Sequence, residues 1–390
     1  MIIMKKNDPT LGEKTKIIFM KIPTKAYIVI TILIAILYPL LIMYGTAGQL
    51  WLRLAVRTEI LVLLALGLNL IIGDTGLLNL GYAAFFAVGA YLTAIFASPR
   101  FGFDLPFWIL FLASGVTAGF FGFLVGLPTL KLRGDYLAIV TLALGESTRL
   151  TLNNWDYLTN GPGGIPGIYH PSFFGYPIDS YVKFYYLTLI IILISIVVLN
   201  NLKNSKLGRS LNAMRENEIA AECMGIDTTK AKILSFVISS VFAGLAGSIF
   251  ASFQTFINPT NFVFMISTMI VCMVVLGGMG SIPGVIVGAI VLDTLPEIIR
   301  QTFSVWLPSV FGSDFYANWP HILKDLFINF DRYRMLFFGI LIVLVILLKP
   351  EGLIPNKRRQ KELRETDPRE ISESEKTLFD VEEGKMDVKV

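Results

Sequence analysis

Few residues in this 390-residue chain have types and spacing that suit chemistry. The two histidines, His170 and His321, are far apart, and so are the two cysteines, Cys223 and Cys272. One cysteine lies in a charged stretch and the other in an apolar run, and neither setting suggests a disulfide or a metal site. No HExxH, CxxC or GxxxxGK[ST] pattern occurs, so the chain is expected to hydrolyse no nucleotide itself. Glu146 and Arg149 stand three apart, on one face of any helix that carries them. Ionised groups inside an apolar segment are costly unless paired, so a mutual ion pair is expected; contact with a substrate or a second subunit is the alternative. The densest charged pattern is N-E-I-A-A-E-C-M-G-I-D, Asn217 to Asp227. It has no nucleophile–base pair, and its chemistry is that of a surface another protein grips.

The elements around these residues are apolar. The chain is 54% hydrophobic and 16% charged, with a mean hydropathy of +0.66, against about 25% charge in soluble domains. Tyr27 to Met43 carries no charge, and Phe184 to Leu199 and Leu336 to Leu348 are similar. A span needs roughly 20 predominantly apolar residues, so the sequence reads as an all-α, polytopic membrane protein. Ten apolar segments stand out: 27–46, 58–72, 76–97, 107–127, 136–152, 184–200, 233–253, 263–276, 283–299 and 336–348. Two glycine-rich gaps, Gly73–Gly76 and Gly277–Gly284, leave open a tight cytoplasmic turn or a break inside a re-entrant element. The opening segment is too long for a signal peptide and is read as a retained first span.

Lys and Arg counts set the orientation. With the N-terminus inside, the inner segments 1–26, 128–135, 201–232 and 349–360 hold 18 basic residues and the outer segments hold 8. Both termini then face the cytoplasm. The organisation is a cytoplasmic segment 1–26, a membrane domain 27–355 with a loop at 201–232, and a charged, disordered tail 356–390.

Within 201–232, helix formers are dense from Ser210 to Met224, and Gly225 sits where a helix end would be capped. Asp227 is an N-cap for the next helix, starting near Lys230. The expectation is one short helix, a glycine turn, then a span. Ala213, Ala220 and Ala221 keep the short helix slim, while Glu216, Glu218 and Glu222 offer charge. A solvated linker helix is the plain alternative. Clusters such as Gly81 to Ala90 and Ala243 to Gly247 suit close helix packing, with sliding during gating as a further role. Asn160 to Gly167 is too rich in Gly and Pro for a regular element; it reads as a lid, a docking surface or a plain loop.

E-I-A-A-E-C-M-G-I resembles the cytoplasmic "EAA" loop of ABC importer permeases. The wider stretch G-R-S-L-N-A-M-R-E-N-E-I-A-A-E-C-M-G-I resembles the LivM-type branched-chain amino acid permeases. So do G-L-L-N-L-G-Y-A-A-F-F-A-V-G-A-Y from Gly76, L-R-G-D-Y-L-A-I-V-T-L-A-L-G-E from Leu132, N-N-W-D-Y-L-T-N-G-P-G-G-I from Asn153, V-V-L-G-G-M-G-S-I-P-G from Val274, and K-P-E-G-L-I-P near the last span. These blocks cover roughly residues 55 to 355. The resemblance implies a non-enzymatic permease of the bacterial inner membrane with a cytoplasmic coupling helix. It implies a second, LivH-type permease, two cytoplasmic ATPases and an external amino acid-binding protein as partners, and no nucleic acid. ATP and magnesium would sit on the ATPases, with no cofactor on this chain. Arg215, Glu216, Glu218, Ala220, Ala221 and Gly225 are the candidate ATPase-coupling residues. Asn69, Asn79, Tyr82 and Tyr136, polar groups on apolar helices, are candidates for the substrate pathway, with helix-to-helix bonding as the alternative for each. Two other functions stay open: a permease of the same family for urea or short amides, and an ion-coupled carrier acting alone.

Overall fold

The computed structural model describes residues 33–40, 48–102, 105–129, 132, 134–173, 176–301, 339–340, 343, 347, 349 and 352–355. The expected cytoplasmic segment 1–26, most of the first and last spans, His321 and the tail 356–390 lie outside the described residues. Within those described, the chain is almost entirely helical, and six helical segments are long and apolar enough to cross a bilayer.

Helix α1 (Gly48–Asn69) is the centre. Every residue from Thr58 to Asn69 is buried, as a segment apolar on all sides requires. It runs into a π-helical turn, Leu70–Thr75, that closes at left-handed Gly76. Helix α2 (Tyr82–Phe96) follows an irregular stretch from Leu77. Helix α3 (Phe107–Thr129) shows Ile109, Leu112, Val116, Phe120 and Phe123 on one exposed stripe, the face lipid would cover. Helix α4 (Asp135–Asn154) carries the Glu146–Arg149 ion pair, Nε to Oε1 at 2.8 Å, as its spacing predicts.

The connection that follows α4 is more ordered than its composition suggests. Helix α5 (Asp156–Thr159) leads to strand β1 (Ile165–Pro166), and strands β2 (Ser172–Phe173) and β3 (Tyr176–Pro177) form a small hairpin. Helix α6 (Tyr181–Asn204) crosses back along the bundle. The loop then holds α7 (Lys206–Glu216) and α8 (Glu218–Cys223), and α9 (Thr228–Gln254) crosses again. Strand β4 (Phe256–Ile257) pairs antiparallel with β1. Helices α10 (Phe264–Gly277) and α11 (Ile282–Gln301) form the last described pair.

Two expectations need correction. The second span does not begin at residue 58: α1 starts at Gly48, so Arg53 and Arg57 are helical rather than part of an outer loop. Their charge is tolerated because Arg57 pairs with buried Asp293 of α11, Nη2 to Oδ1 at 3.4 Å. Thr58 also donates to Asp293 Oδ2, at 2.8 Å. Asp293 and Glu59 are both buried in the bundle. The second correction is the short helix, which is two helices broken at Asn217.

Helix α9 lies between α2 and α3 and also meets α1. Small residues permit this. A Cβ on Gly89 of α2 would stand 2.3 Å from the carbonyl oxygen of Gly244 on α9, and one on Gly244 equally close to the carbonyl oxygen of Ser114 on α3. Three backbones cross there at distances no side chain allows.

Candidate functional site: a junction beneath the polar loop

Three short polar side chains set the loop's conformation. Ser205 caps α7 by accepting from Gly208 N at 3.4 Å. Asn217, in extended backbone, caps α8 by accepting from Ala220 N at 3.0 Å. Asp227 caps α9 by accepting from Lys230 N at 3.0 Å, as its sequence position predicts, though the helix begins at Thr228. The side-chain and backbone hydrogen bonds from Lys230 hold the Asp227 carboxyl below the usual carboxylate range. Between α8 and α9, Gly225 is left-handed (φ +82°). Ile226 N–H reaches Ala221 O at 3.0 Å and Gly225 N–H reaches Glu222 O at 2.9 Å. This is the doubly bonded glycine cap that closes helices in left-handed backbone.

The candidate coupling residues divide into anchors and tip. Helix α8 is pinned to α9: Glu218 forms an ion pair with the largely buried Lys232, and Glu222 Oε1 accepts from Thr228 Oγ1 at 2.6 Å. Ala221 faces inward, whereas Ala220 is exposed. Beside Ala220 stand Ile219 (61% exposed), Met224 (83%) and Cys223. The protruding surface is therefore apolar, and its acidic neighbours are mostly turned to the membrane helix. Glu216 is exposed at the end of α7.

Helix α7 is pinned to α1. Leu211 and Met214 pack with Leu70 of the π-helical turn and Ala231 of α9. Arg215 Nη1 donates to Gly73 O at 2.6 Å. Lys203, in the last turn of α6, lies 3.3 Å from Asp74 Oδ1 and also bonds Gly280 O. Asn69 Oδ1 accepts from Gly280 N at 2.9 Å. The two glycine-rich gaps thus meet face to face: a Cβ on Gly73 would lie 2.4 Å from Gly280 N. The second gap is further held from the chain's last described segment, where Leu353 N–H and Ile354 N–H reach Leu276 O (2.9 Å) and Gly277 O (3.1 Å). Helices α1, α6, α7, α10 and α11 converge on this one point.

Of the pathway candidates, Asn69 belongs to that junction. Tyr82 is buried, and its hydroxyl donates to Ser239 O at 3.0 Å. Asn79 is fully buried; its Oδ1 accepts from Gly81 N at 3.0 Å, while Nδ2 has no partner among the described residues. Tyr136 is 74% exposed at the start of α4, apart from the other three. The sequence reading missed Arg53, Arg57, Lys203 and Asp74. The i,i+4 spacing of the two arginines beside an apolar run was the available signal for the first pair.

The arrangement holds no nucleophile–base pair and, among the described residues, no group able to hold a metal ion. A multi-pass helical bundle with a braced, protruding loop at one end is the form of a transport permease. The family model for the branched-chain amino acid transport system permease component matches residues 50–346, and the chain belongs to that family. It is 36% identical to the high-affinity branched-chain amino acid transport system permease protein LivM of Escherichia coli K12, over 87% of this chain and 77% of the relative. A probable branched-chain amino acid transport permease LivM of Methanocaldococcus jannaschii is 29% identical, over 70% of this chain and 74% of its own. The E. coli K12 LivH permease is 25% identical, over 59% of this chain and 78% of its own. No solved structure gives a significant match.

Proposed function

We infer that this chain is one of two unlike membrane subunits of an ATP-driven importer for branched-chain amino acids in the bacterial inner membrane, with both termini cytoplasmic. An external binding protein delivers the amino acid, a LivH-type permease forms the other half of the membrane unit, and two ATPases bind ATP and magnesium below. The likeness to both LivM and LivH relatives supports two permeases in one system.

The observation that carries the mechanical part is the bracing of the loop. The apolar tip of Ile219, Ala220, Cys223 and Met224 fits a groove on an ATPase. Glu218 and Glu222 bind that tip to α9, and Arg215 binds the preceding helix to the π-helical turn of α1. A push on the tip therefore moves the inner ends of two central helices together. Such a movement shifts a bundle between two packings when a partner's ligand biases one of them. The route for the amino acid runs along the α1–α2–α9 seam, where Asn79 and Asn69 come to line it as the seam opens and Tyr82 bonds the seam together. Tyr136 faces the second permease.

Affinity purification tests this. A tagged chain is expected to bring down two ATPase polypeptides and a second permease from native membranes. Ile219→Asp combined with Met224→Asp should release the ATPases and leave the second permease bound. Leucine uptake by the purified chain alone, driven by an ion gradient in proteoliposomes, would overturn the reading.

A further inference from the structure

The end of the bundle opposite the loop contains a cavity of about 400 Å³ between α1, α2, α9, α10 and α11. Small-molecule sites start near this size and combine apolar walls with a few placed polar groups. The floor and one wall here are aromatic. Phe86 and Phe250 pack with ring centroids 5.1 Å apart, and Phe253, which packs on Phe184 at 5.4 Å, continues the wall. The rim is charged: Arg53 and Arg57, one helical turn apart on α1, and Glu297 on α11.

These charges are not equivalent. Arg57 is committed to Asp293, whose carboxylate is wholly buried and also accepts from Thr58. That pair locks α1 to α11 and fixes the α1 face from which Arg53 projects. Arg53 is exposed and has no ion-pair partner among the described residues. Glu297 Oε1 accepts from Gln301 Nε2 at 3.1 Å, which orients its carboxylate. The lining therefore offers a guanidinium, a carboxylate and an aromatic wall within one small volume. A guanidinium takes a carboxylate in a two-pronged bond. A carboxylate beside aromatic faces takes an ammonium group. The aromatic wall takes an aliphatic side chain.

We propose that this cavity is a receiving site for a zwitterionic α-amino acid with an apolar side chain, in which Arg53 takes the α-carboxylate, Glu297 the ammonium group, and Phe86, Phe250 and Phe253 the side chain. The site rests on the importer reading for its substrate and on the inward placement of the loop for its outward position. Its wide mouth suits a brief stop rather than tight capture, so that substrate passes on to the seam below.

The test uses the assembled complex in proteoliposomes, with L-leucine as the probe and the external binding protein supplied outside for every uptake measurement. In Leu50→Cys complexes, which keep Arg53 and place the thiol on the cavity rim, millimolar L-leucine is expected to slow modification by an impermeant thiol reagent added outside at least threefold. Isoamylamine, which lacks the carboxylate, should not, and adding Arg53→Ala should remove the protection by leucine. Phe250→Ala should shift relative uptake from leucine towards smaller side chains by a similar factor, and it serves alone if Leu50→Cys complexes fail to assemble. Leucine uptake by the parent complex together with unprotected Cys labelling and unchanged selectivity in Phe250→Ala overturns the site and leaves the importer reading intact. No leucine uptake by a parent complex that assembles and hydrolyses ATP overturns the importer reading itself.

Discussion

Arg215 Nη1 lies 2.6 Å from the carbonyl oxygen of Gly73, a residue 142 positions earlier in the chain. The acceptor is in the π-helical turn that ends α1. Such turns leave backbone groups out of the regular ladder and recur at functional positions. The side chain crosses from the loop to the membrane helix at the point where α1 is least regular. Its aliphatic stem lies over Gly76, whose missing Cβ would be 3.2 Å from Arg215 Cγ.

Arg215→Met keeps the stem and deletes the charged donor. A hydrogen bond of this type contributes roughly 1.5–3 kcal/mol. The expected result is a complex that assembles and hydrolyses ATP but imports several-fold less leucine per ATP. Uptake and hydrolysis measured on the same proteoliposomes give that ratio, and an unchanged ratio would remove Arg215 from the transmission.

Gly225 and Gly89 should fail differently. Around Gly225 a Cβ meets nothing within 4 Å, but its φ of +82° strains any L-side chain, by roughly 1–2 kcal/mol. Gly225→Ala is expected to leave membrane levels near normal and to reduce transport. Gly89 is helical, but an added methyl meets Gly244 backbone at 2.3 Å, and overpacking of that kind typically costs 1–3 kcal/mol, about the same on the page but global in effect. Gly89→Ala should reduce the amount of assembled protein extractable in mild detergent. If the two variants show the same ratio of assembly loss to transport loss, the division into coupling turn and packing seam is wrong.

The sequence made the loop legible because its signals are local. Asp227 and Gly225 act on neighbours within a few residues, and both stand where the pattern puts them. Asn217 was equally local, yet a run of helix formers on both sides hid it. Its side chain offers the backbone an alternative bond, and that bond breaks the helix. The early start of α1 was illegible for another reason. Arg57 is affordable in an apolar helix only because Asp293 comes to it from α11, and no local pattern reports that pairing. The meeting of the two glycine-rich gaps is likewise tertiary: composition marked Gly73 and Gly280 as special and gave no hint that they touch.

Topology can be tested with a native thiol. Cys223 is exposed on the loop, and Asn160 lies between α5 and β1 at the opposite end of the bundle. In a Cys272→Ser background, an impermeant reagent should leave Cys223 unlabelled in intact spheroplasts and label it once the membrane is opened. Adding Asn160→Cys should give labelling without opening. The reverse order would invert the whole assignment, including the outward mouth of the cavity.

Asn79 and Tyr82 separate a transport role from a packing role. The Tyr82 hydroxyl donates to Ser239 O, so Tyr82→Phe removes a bond that holds α2 on α9, while the carbonyl stays within the α9 helical ladder. A hydrogen bond of this type contributes about 0.5–1.5 kcal/mol, and the expected consequence is less assembled complex with unchanged preference among amino acids. Asn79 differs because its amide nitrogen is buried with nothing to bond among the described residues. A native structure seldom keeps such a group without use for it, and a passing carboxylate would satisfy it. Asn79→Ser keeps an oxygen within reach of Gly81 N–H and deletes only the nitrogen. It should therefore leave assembly unchanged and slow leucine import, with the loss in the maximal rate rather than in the concentration of loaded binding protein needed for half of it. Normal import by Asn79→Ser, in complexes assembled to the parent level, would take Asn79 off the route and leave the α1–α2–α9 seam a packing surface at that depth.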